Sequence, residues 1–186
     1  MSIISPILLL ILIFLLILLL IIWIHQLYYG IVTDRIVFFP TSVNKIDKEM
    51  DIIINKYILE TDDYDLVELG CGLGNVLRHL NKKFQWQKSV GVELDWMTFT
   101  AAKFLARNKN IIIVKGDIFN YKIEKKSLVY CFLGSQIMTH LYEDNQFANH
   151  LLVSLDFKIP GVEPTEIFEL QGFSIQKRLF VYDFRS

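Results

Sequence analysis

The stretch Val67-Glu68-Leu69-Gly70-Cys71-Gly72-Leu73-Gly74-Asn75 decides how this chain is read. An apolar run ends in three glycines at alternate positions, and Asn75 opens a helical pattern that continues to Lys83. That is a strand, a tight turn and a helix. The glycines allow positive φ and let the backbone approach a ligand closely. The N–H groups of the turn and of the helix N-terminus then face that ligand.

Outward from this turn the pattern alternates. Apolar runs at Leu66–Leu69, Ser89–Glu93, Ile111–Lys115, Leu128–Phe132 and Leu151–Phe157 read as strands. Asn75–Lys83, a segment from Asp95 as N-cap to Asn108, and a helical but breakable Gln136–Asn149 lie between them. Strands alternating with helices predict a parallel sheet with helices on both faces, a Rossmann-like, doubly wound α/β fold. Phe168–Leu170 and Ile175–Phe184 raise the strand count to seven. The turn Gln171-Gly172-Phe173 joins them as an antiparallel pair, so the last strand is expected to insert against the grain of the sheet. The stripe Trp96, Phe99, Ala102, Phe104 and Leu105 is expected to be the packed face of its helix.

The spacing at the turn is Gly-x-Gly-x-Gly. A dinucleotide fingerprint needs Gly-x-Gly-x-x-Gly, and position 75 is Asn. Glu68, two residues before the first glycine, would repel a pyrophosphate. It suits a cationic amino-acid moiety, as in S-adenosylmethionine (SAM), which carries an ammonium and a sulfonium and no phosphate. Glu93 ends the second strand, where an acid bonds ribose hydroxyls in doubly wound folds. Asp117 follows the third strand, placed to accept from an adenine amino group. Three acids at the ends of three successive strands predict one negative crevice around Gly70, Cys71, Gly72 and Gly74, with Leu94, Ile118 and Phe132 beside it. Singly each acid has an ordinary explanation, solvation at a strand end or turn chemistry at Gly116-Asp117. Together they point to SAM.

The chain has 186 residues, enough for one domain and an appendage, with a net charge of -1 and a hydrophobic fraction of 53%. No polybasic field points to nucleic acid. Cys71 and Cys131 have no metal spacing and read as reduced, packed thiols; no metal site is expected. The apolar excess lies in Ile7–Ile24, uncharged, about 27 Å long as a helix and without a polar face. Trp23, Tyr28 and Tyr29 mark one end as an interfacial belt does. No basic residue precedes the run and no small-x-small site follows it, so a signal anchor is expected over a cleaved signal peptide. Arg35, Lys45, Lys48 and Lys56 follow it, which places the domain in the cytoplasm by the positive-inside rule. The expected divisions are an anchor at 1–27, a linker with a packing helix at 28–60 (helical period over Ile46–Leu59), and the catalytic domain at 61–186.

On these residues the chain resembles the class I, seven-stranded SAM-dependent methyltransferases. Glu68 to Gly74 looks like their first motif, Glu93 matches their ribose-binding acid and Asp117 their adenine-contacting acid. A narrower likeness rests on the anchor, Pro40-Thr41-Ser42, Phe132-x-Gly134 and Lys158-Ile159-Pro160-Gly161 in that order. These resemble the membrane-anchored protein-lysine methyltransferases of the ATP synthase c subunit and the adenine nucleotide translocase, and their prokaryotic relatives. The resemblance implies that Pro40, Thr41, Ser42, Gly134 and Ser135 lie at the substrate mouth. This chain departs from that pattern at Glu68, usually Asp, at Ile137-Met138, usually Met-Met, and at Val162, usually Trp. Methylases of DNA adenine or glutamine carry Asn/Asp-Pro-Pro-Tyr/Phe where this chain has Phe132-Leu133-Gly134-Ser135.

The expected activity is therefore methyl transfer from SAM to a lysine of a membrane protein. Two other readings stay open: an acceptor that is a lipid, quinone or other small molecule, and a catalytically silent SAM-binding protein. No residue is singled out as a catalytic base. Tyr130, Phe132 and Ser135 are placed to line the pocket, and the four histidines read as surface or core residues.

Overall fold

The computed structural model describes residues 6–32, 41–106, 110–172 and 177–185, with side chains described in 6–25 and from 41 onward. The chain divides into two compact units, Met1–Phe39 and Pro40–Ser186.

The first unit holds helix α1, Pro6–Val32. Its large apolar side chains from Ile7 to Ile24 are exposed. Pro6–His25, 20 residues, is long and apolar enough by length and composition to cross a bilayer, since it would rise about 30 Å.

The second unit is built on one sheet. Its elements are α2 (Asp47–Tyr57), β1 (Asp65–Leu69), α3 (Asn75–Lys83), β2 (Lys88–Glu93), α4 (Trp96–Leu105), β3 (Ile111–Lys115), β4 (Ser127–Cys131), α5 (Ser135–Glu143), β5 (Leu151–Leu155), β6 (Glu166–Leu170) and β7 (Lys177–Asp183). Strand order is β3-β2-β1-β4-β5-β7-β6. The first five run parallel. β7 lies antiparallel between β5 and β6, as the hairpin reading expected.

The apolar pattern explains the order. β1, β4 and β5 are buried at every position, as central strands covered on both faces must be. β3 is half-exposed, as an edge strand is. On one face Met50, Ile53 and Ile54 of α2 and Val76, Leu77 and Leu80 of α3 pack over Leu66, Leu128 and Val153. On the other, Met138 and Leu141 of α5 pack over Val67, Val90, Val129 and Leu152. α2 thus belongs to the core of the sheet unit.

Helices cover both faces, as the fold reading expected, and the second face is completed by the connection through Ile118, Tyr121 and Ile123. Two other expectations need correction. The Gln136–Asn149 helix stops at Glu143, because Asn145 and Asn149 adopt positive φ. The stripe on α4 is not its packed face: Ala102 is buried and Phe99 partly so, but Trp96 and Phe104 are 63% and 68% exposed. α4 packs chiefly against β2 and the edge strand β3, so the sheet beneath it is too narrow to cover the stripe.

Candidate active site

Strand order reverses between β1 and β4, and the crevice beyond the carboxyl ends of strands at such a point is where these folds bind ligands. The glycine turn sits there. Gly70, Gly72 and Gly74 have φ of +69°, +54° and +68°. Any other L-residue would be strained at each. The Gly74 N–H donates to the Cys71 carbonyl at 2.7 Å, and the Cys71 N–H to the Val92 carbonyl at 3.0 Å, which stitches the turn to β2. Gly91 lies beneath it: a Cβ there would come 2.7 Å from Cys71 Sγ. Sequence reasoning passed over Gly91, although a glycine inside a strand signals close backbone approach.

α3 begins without a capping side chain of its own, because its N-cap is Gly74. Glu68 supplies the cap from the neighbouring strand. Its Oε2 accepts from the Leu77 N–H at 2.9 Å, and the residue is 6% exposed. Burial pushes its carboxyl up to about 8, with the nearby Glu93 charge adding to this and the Leu77 N–H and the Arg78 guanidinium opposing it. One oxygen of Glu68 thus fastens the helix, and the carboxyl keeps its proton at neutral pH behind the turn. Arg78 fastens the turn from below, donating to the Leu73 carbonyl and, at 2.7 Å, to Asn75 Oδ1.

Glu93 is half-buried and spans the turn. Its Oε2 accepts from the Gly72 N–H and its Oε1 from the Asp95 N–H, both at 2.8 Å. Leu94 is half-buried beside it, and Asp95 caps α4 through Thr98. The Gly116 N–H donates to the Glu93 carbonyl at 3.0 Å, which brings the end of β3 alongside. Asp117 follows, accepting from the Phe119 N–H at 3.2 Å as the cap of a 3-10 turn that contains half-buried Ile118. The carboxylates of Glu68, Glu93 and Asp117 therefore border one end of the sheet around one turn, and their backbone bonds fix them there. This acidic setting fits a cationic ligand, and the three glycines leave alternate positions of the turn without side chains.

Across the reversal, β4 delivers Phe132, Leu133, Gly134 and Ser135. Leu133 packs against the turn: a Cβ on Gly70 would lie 3.0 Å from its Cδ2. Gly134 caps α5 and Ser135 is its first residue; both are half-buried. Thr41 is half-buried and Ser42 exposed, while Pro40 lies outside the described residues. Tyr130 is fully buried in the core on the α2 and α3 side, which corrects its reading as a lining residue. Burial and the Glu68 charge raise its hydroxyl well above the usual tyrosine range, and Thr41 opposes them.

Cys71 and Cys131 are buried free thiols, raised by burial, Cys131 to about 12, so neither is a nucleophile. His79 pairs with Asp47 at 2.5 Å, His140 lies against Phe119, and His150 is buried. Among the described residues no group of three or more His, Cys, Asp or Glu could hold a metal ion. A shallow depression lined by Asp62, Asn81, Trp86 and Asn110 lies where β1, β2 and β3 begin, away from the acids.

Comparison with known proteins agrees with this geometry. A family model, the ANTKMT methyltransferase domain, matches residues 68–166. A protein-lysine N-methyltransferase of Saccharolobus islandicus (strain REY15A) is 26% identical over 156 residues, 80% of this chain and 93% of that relative. An RNA methyltransferase from Salinibacter ruber, solved with S-adenosyl-L-homocysteine, superposes with a TM-score of 0.66 at 19% identity, covering 80% of this chain and 95% of that one. The N-terminal domain of human METTL16 gives 0.61 at 14%, covering 80% and 73%. At such identities the solved structures establish the fold alone. The matched segment opens on Glu68 and carries the glycine turn, Glu93, Asp117 and Phe132, so the chain belongs to the ANTKMT methyltransferase domain family and is a class I, SAM-dependent methyltransferase.

Proposed function

We propose that this enzyme is a protein-lysine N-methyltransferase acting on a membrane protein, held at the bilayer by α1 with its catalytic domain on the cytoplasmic side. One observation carries the lysine acceptor: the relative matched over 93% of its length is a protein-lysine N-methyltransferase. The exposed apolar helix supports the anchor, since tethering to a bilayer raises the effective concentration of substrates in it.

SAM supplies a methyl group already activated by its sulfonium. The glycine turn would cradle its amino-acid end, Glu93 its ribose and Asp117 its adenine. Orientation is then the main task of the chain, worth roughly 7–11 kcal/mol when reactants are held in line. A lysine acceptor must reach the turn as a free amine, although its ordinary pKa is about 10.4. Desolvation beside a bound cation lowers that value. The apolar residues after β4, Phe132 and Leu133, supply the desolvation.

The test incubates membranes lacking the enzyme with purified full-length protein and SAM labelled in its methyl group. The reading expects label in one small membrane protein, recovered as methyl-lysine after acid hydrolysis. Label confined to the lipid extract would overturn it in favour of a lipid or quinone acceptor. SAM binding without any transfer would leave a silent SAM-binding protein.

A further inference from the structure

An ammonium lies at the carboxyl ends of β4 and β5. Phe132 follows β4 and Phe157 follows β5, so both rings lie at the carboxyl ends of adjacent strands. Their centroids are 5.8 Å apart with planes tilted by 33°. Lys177, the first residue of β7, sets its Nζ 4.7 Å from the Phe132 centroid and 3.3 Å from Asp156 Oδ2.

The parts are held firmly. Asp156 adopts a φ of +68°, a strained backbone for a residue with a side chain. Its N–H donates to the Arg178 carbonyl at 2.8 Å, which locks it to β7. The Ser154 hydroxyl donates to the Phe157 carbonyl at 2.6 Å. The side chains of Lys177 and Asp156 are only 24% and 33% exposed. A strained, pinned Asp156 beside a half-buried charge differs from a loose surface ion pair, whose contribution is small and whose geometry is not fixed. An aromatic face beside a carboxylate is the chemistry that recognises an alkylammonium. Phe132 and Asp156 follow the carboxyl ends of β4 and β5, the end of the sheet at which the glycine turn follows β1.

We propose that Phe132, Phe157 and Asp156 form an entry subsite that receives the acceptor's ammonium before it gives up its proton to solvent and moves to the turn, and that Lys177 fills this subsite as an internal stand-in that an entering lysine displaces. The proposal rests on the lysine reading above and adds the residues that select for it. Lys177 acts here as an autoinhibitory contact, which raises the acceptor concentration needed for turnover.

The probe is n-butylammonium, a bare lysine side-chain analogue, titrated into full-length protein in detergent micelles and followed by NMR of lysine labelled with carbon-13 at Cε. In the wild type it should shift the Lys177 resonance at high concentration. Lys177→Met and Lys177→Gln should each bind the probe about tenfold more tightly, and adding Asp156→Asn to either should abolish that gain. SAM affinity, measured calorimetrically, reports folding for every variant. Equal probe affinity in the wild type and both Lys177 variants, with SAM binding intact, overturns the subsite. Because the assay needs no methyl transfer, the two readings fail separately. Probe binding without methyl-lysine in the membrane assay overturns the lysine acceptor, and methyl-lysine without probe binding overturns only the subsite.

Discussion

Gly91→Ala tests the linkage between β2 and the glycine turn. The new Cβ would stand 2.7 Å from Cys71 Sγ, 3.0 Å from Cys71 Cβ and 3.0 Å from Leu77 Cδ2. Comfortable contacts between such atoms are about 3.5–4.0 Å. Cys71 cannot simply retreat, because its N–H is bonded to Val92 and its carbonyl accepts from Gly74. Leu77 is fully buried in the core. Overpacking of this kind costs about 1–3 kcal/mol, which for a domain of this size lowers the midpoint of thermal unfolding by roughly 3–10 °C. Relief must move the turn away from β2, so SAM affinity should fall as well. Near-ultraviolet circular dichroism of full-length protein in detergent measures the first effect and calorimetry the second. Cys71→Gly removes two of the three clashes. The double variant should therefore be more stable than the sum of the single effects by about 1 kcal/mol, since residues in contact couple. A Gly91→Ala protein that melts within 1 °C of the wild type (about 0.3–0.5 kcal/mol here), or strict additivity with Cys71→Gly, would mean that Gly91 is not needed for the turn to approach β2.

Glu68 makes a pH-dependent prediction. Its carboxyl is raised from the usual 4.5 to about 8 in the folded protein, so the folded state holds a proton that the unfolded chain releases. That stability is complete below about pH 4.5 and is lost as pH rises through about 8. At about 1.4 kcal/mol per tenfold change in proton affinity it amounts to at most roughly 5 kcal/mol. Without SAM, wild-type stability relative to Glu68→Gln should decline between pH 5 and pH 9 in thermal unfolding, and a flat difference contradicts the burial of this charge. Arg185 donates to Asp183, to the Tyr57 carbonyl and to the Tyr64 hydroxyl at 2.6–2.8 Å, and holds the Asp183 carboxyl below the usual range. Arg185→Ala should lose about 2 kcal/mol, read in the same melts; no loss would mean that the contact is idle. The buried thiols of Cys71 and Cys131 should resist iodoacetamide at pH 8 in the native protein and react fully in denaturant, as counted by mass spectrometry. Rapid native alkylation would contradict their burial.

Much of this was legible in the residues. The bounds of α3 and β3 match the sequence reading at both ends, because Gly74 and the edge of an Ile-rich run mark them sharply. The antiparallel insertion of β7 followed from a short glycine turn. The site was half legible. Composition and position grouped Glu68, Glu93 and Asp117, but could not show that Glu68 spends an oxygen on the helix it precedes, because capping from another strand depends on packing. The cluster of Phe132, Asp156, Phe157 and Lys177 left no local pattern, since its three chain-distant segments meet only when β7 inserts beside β5. The exposure of Trp96 and Phe104 was misread because helical periodicity identifies a stripe without showing how much sheet lies beneath it.

The most direct test of the central claim is calorimetric titration of full-length protein with SAM and with NADH, in the wild type and in Glu93→Ala. Removing the Glu93 carboxylate strips the partner from two backbone N–H groups of the site, and charge-assisted bonds of that kind are worth about 1.5–3 kcal/mol. SAM should bind, NADH should not, and Glu93→Ala should weaken SAM at least about tenfold while the fold is retained. Tight NADH binding, or SAM affinity indifferent to Glu93, would mean that this crevice is not the SAM site.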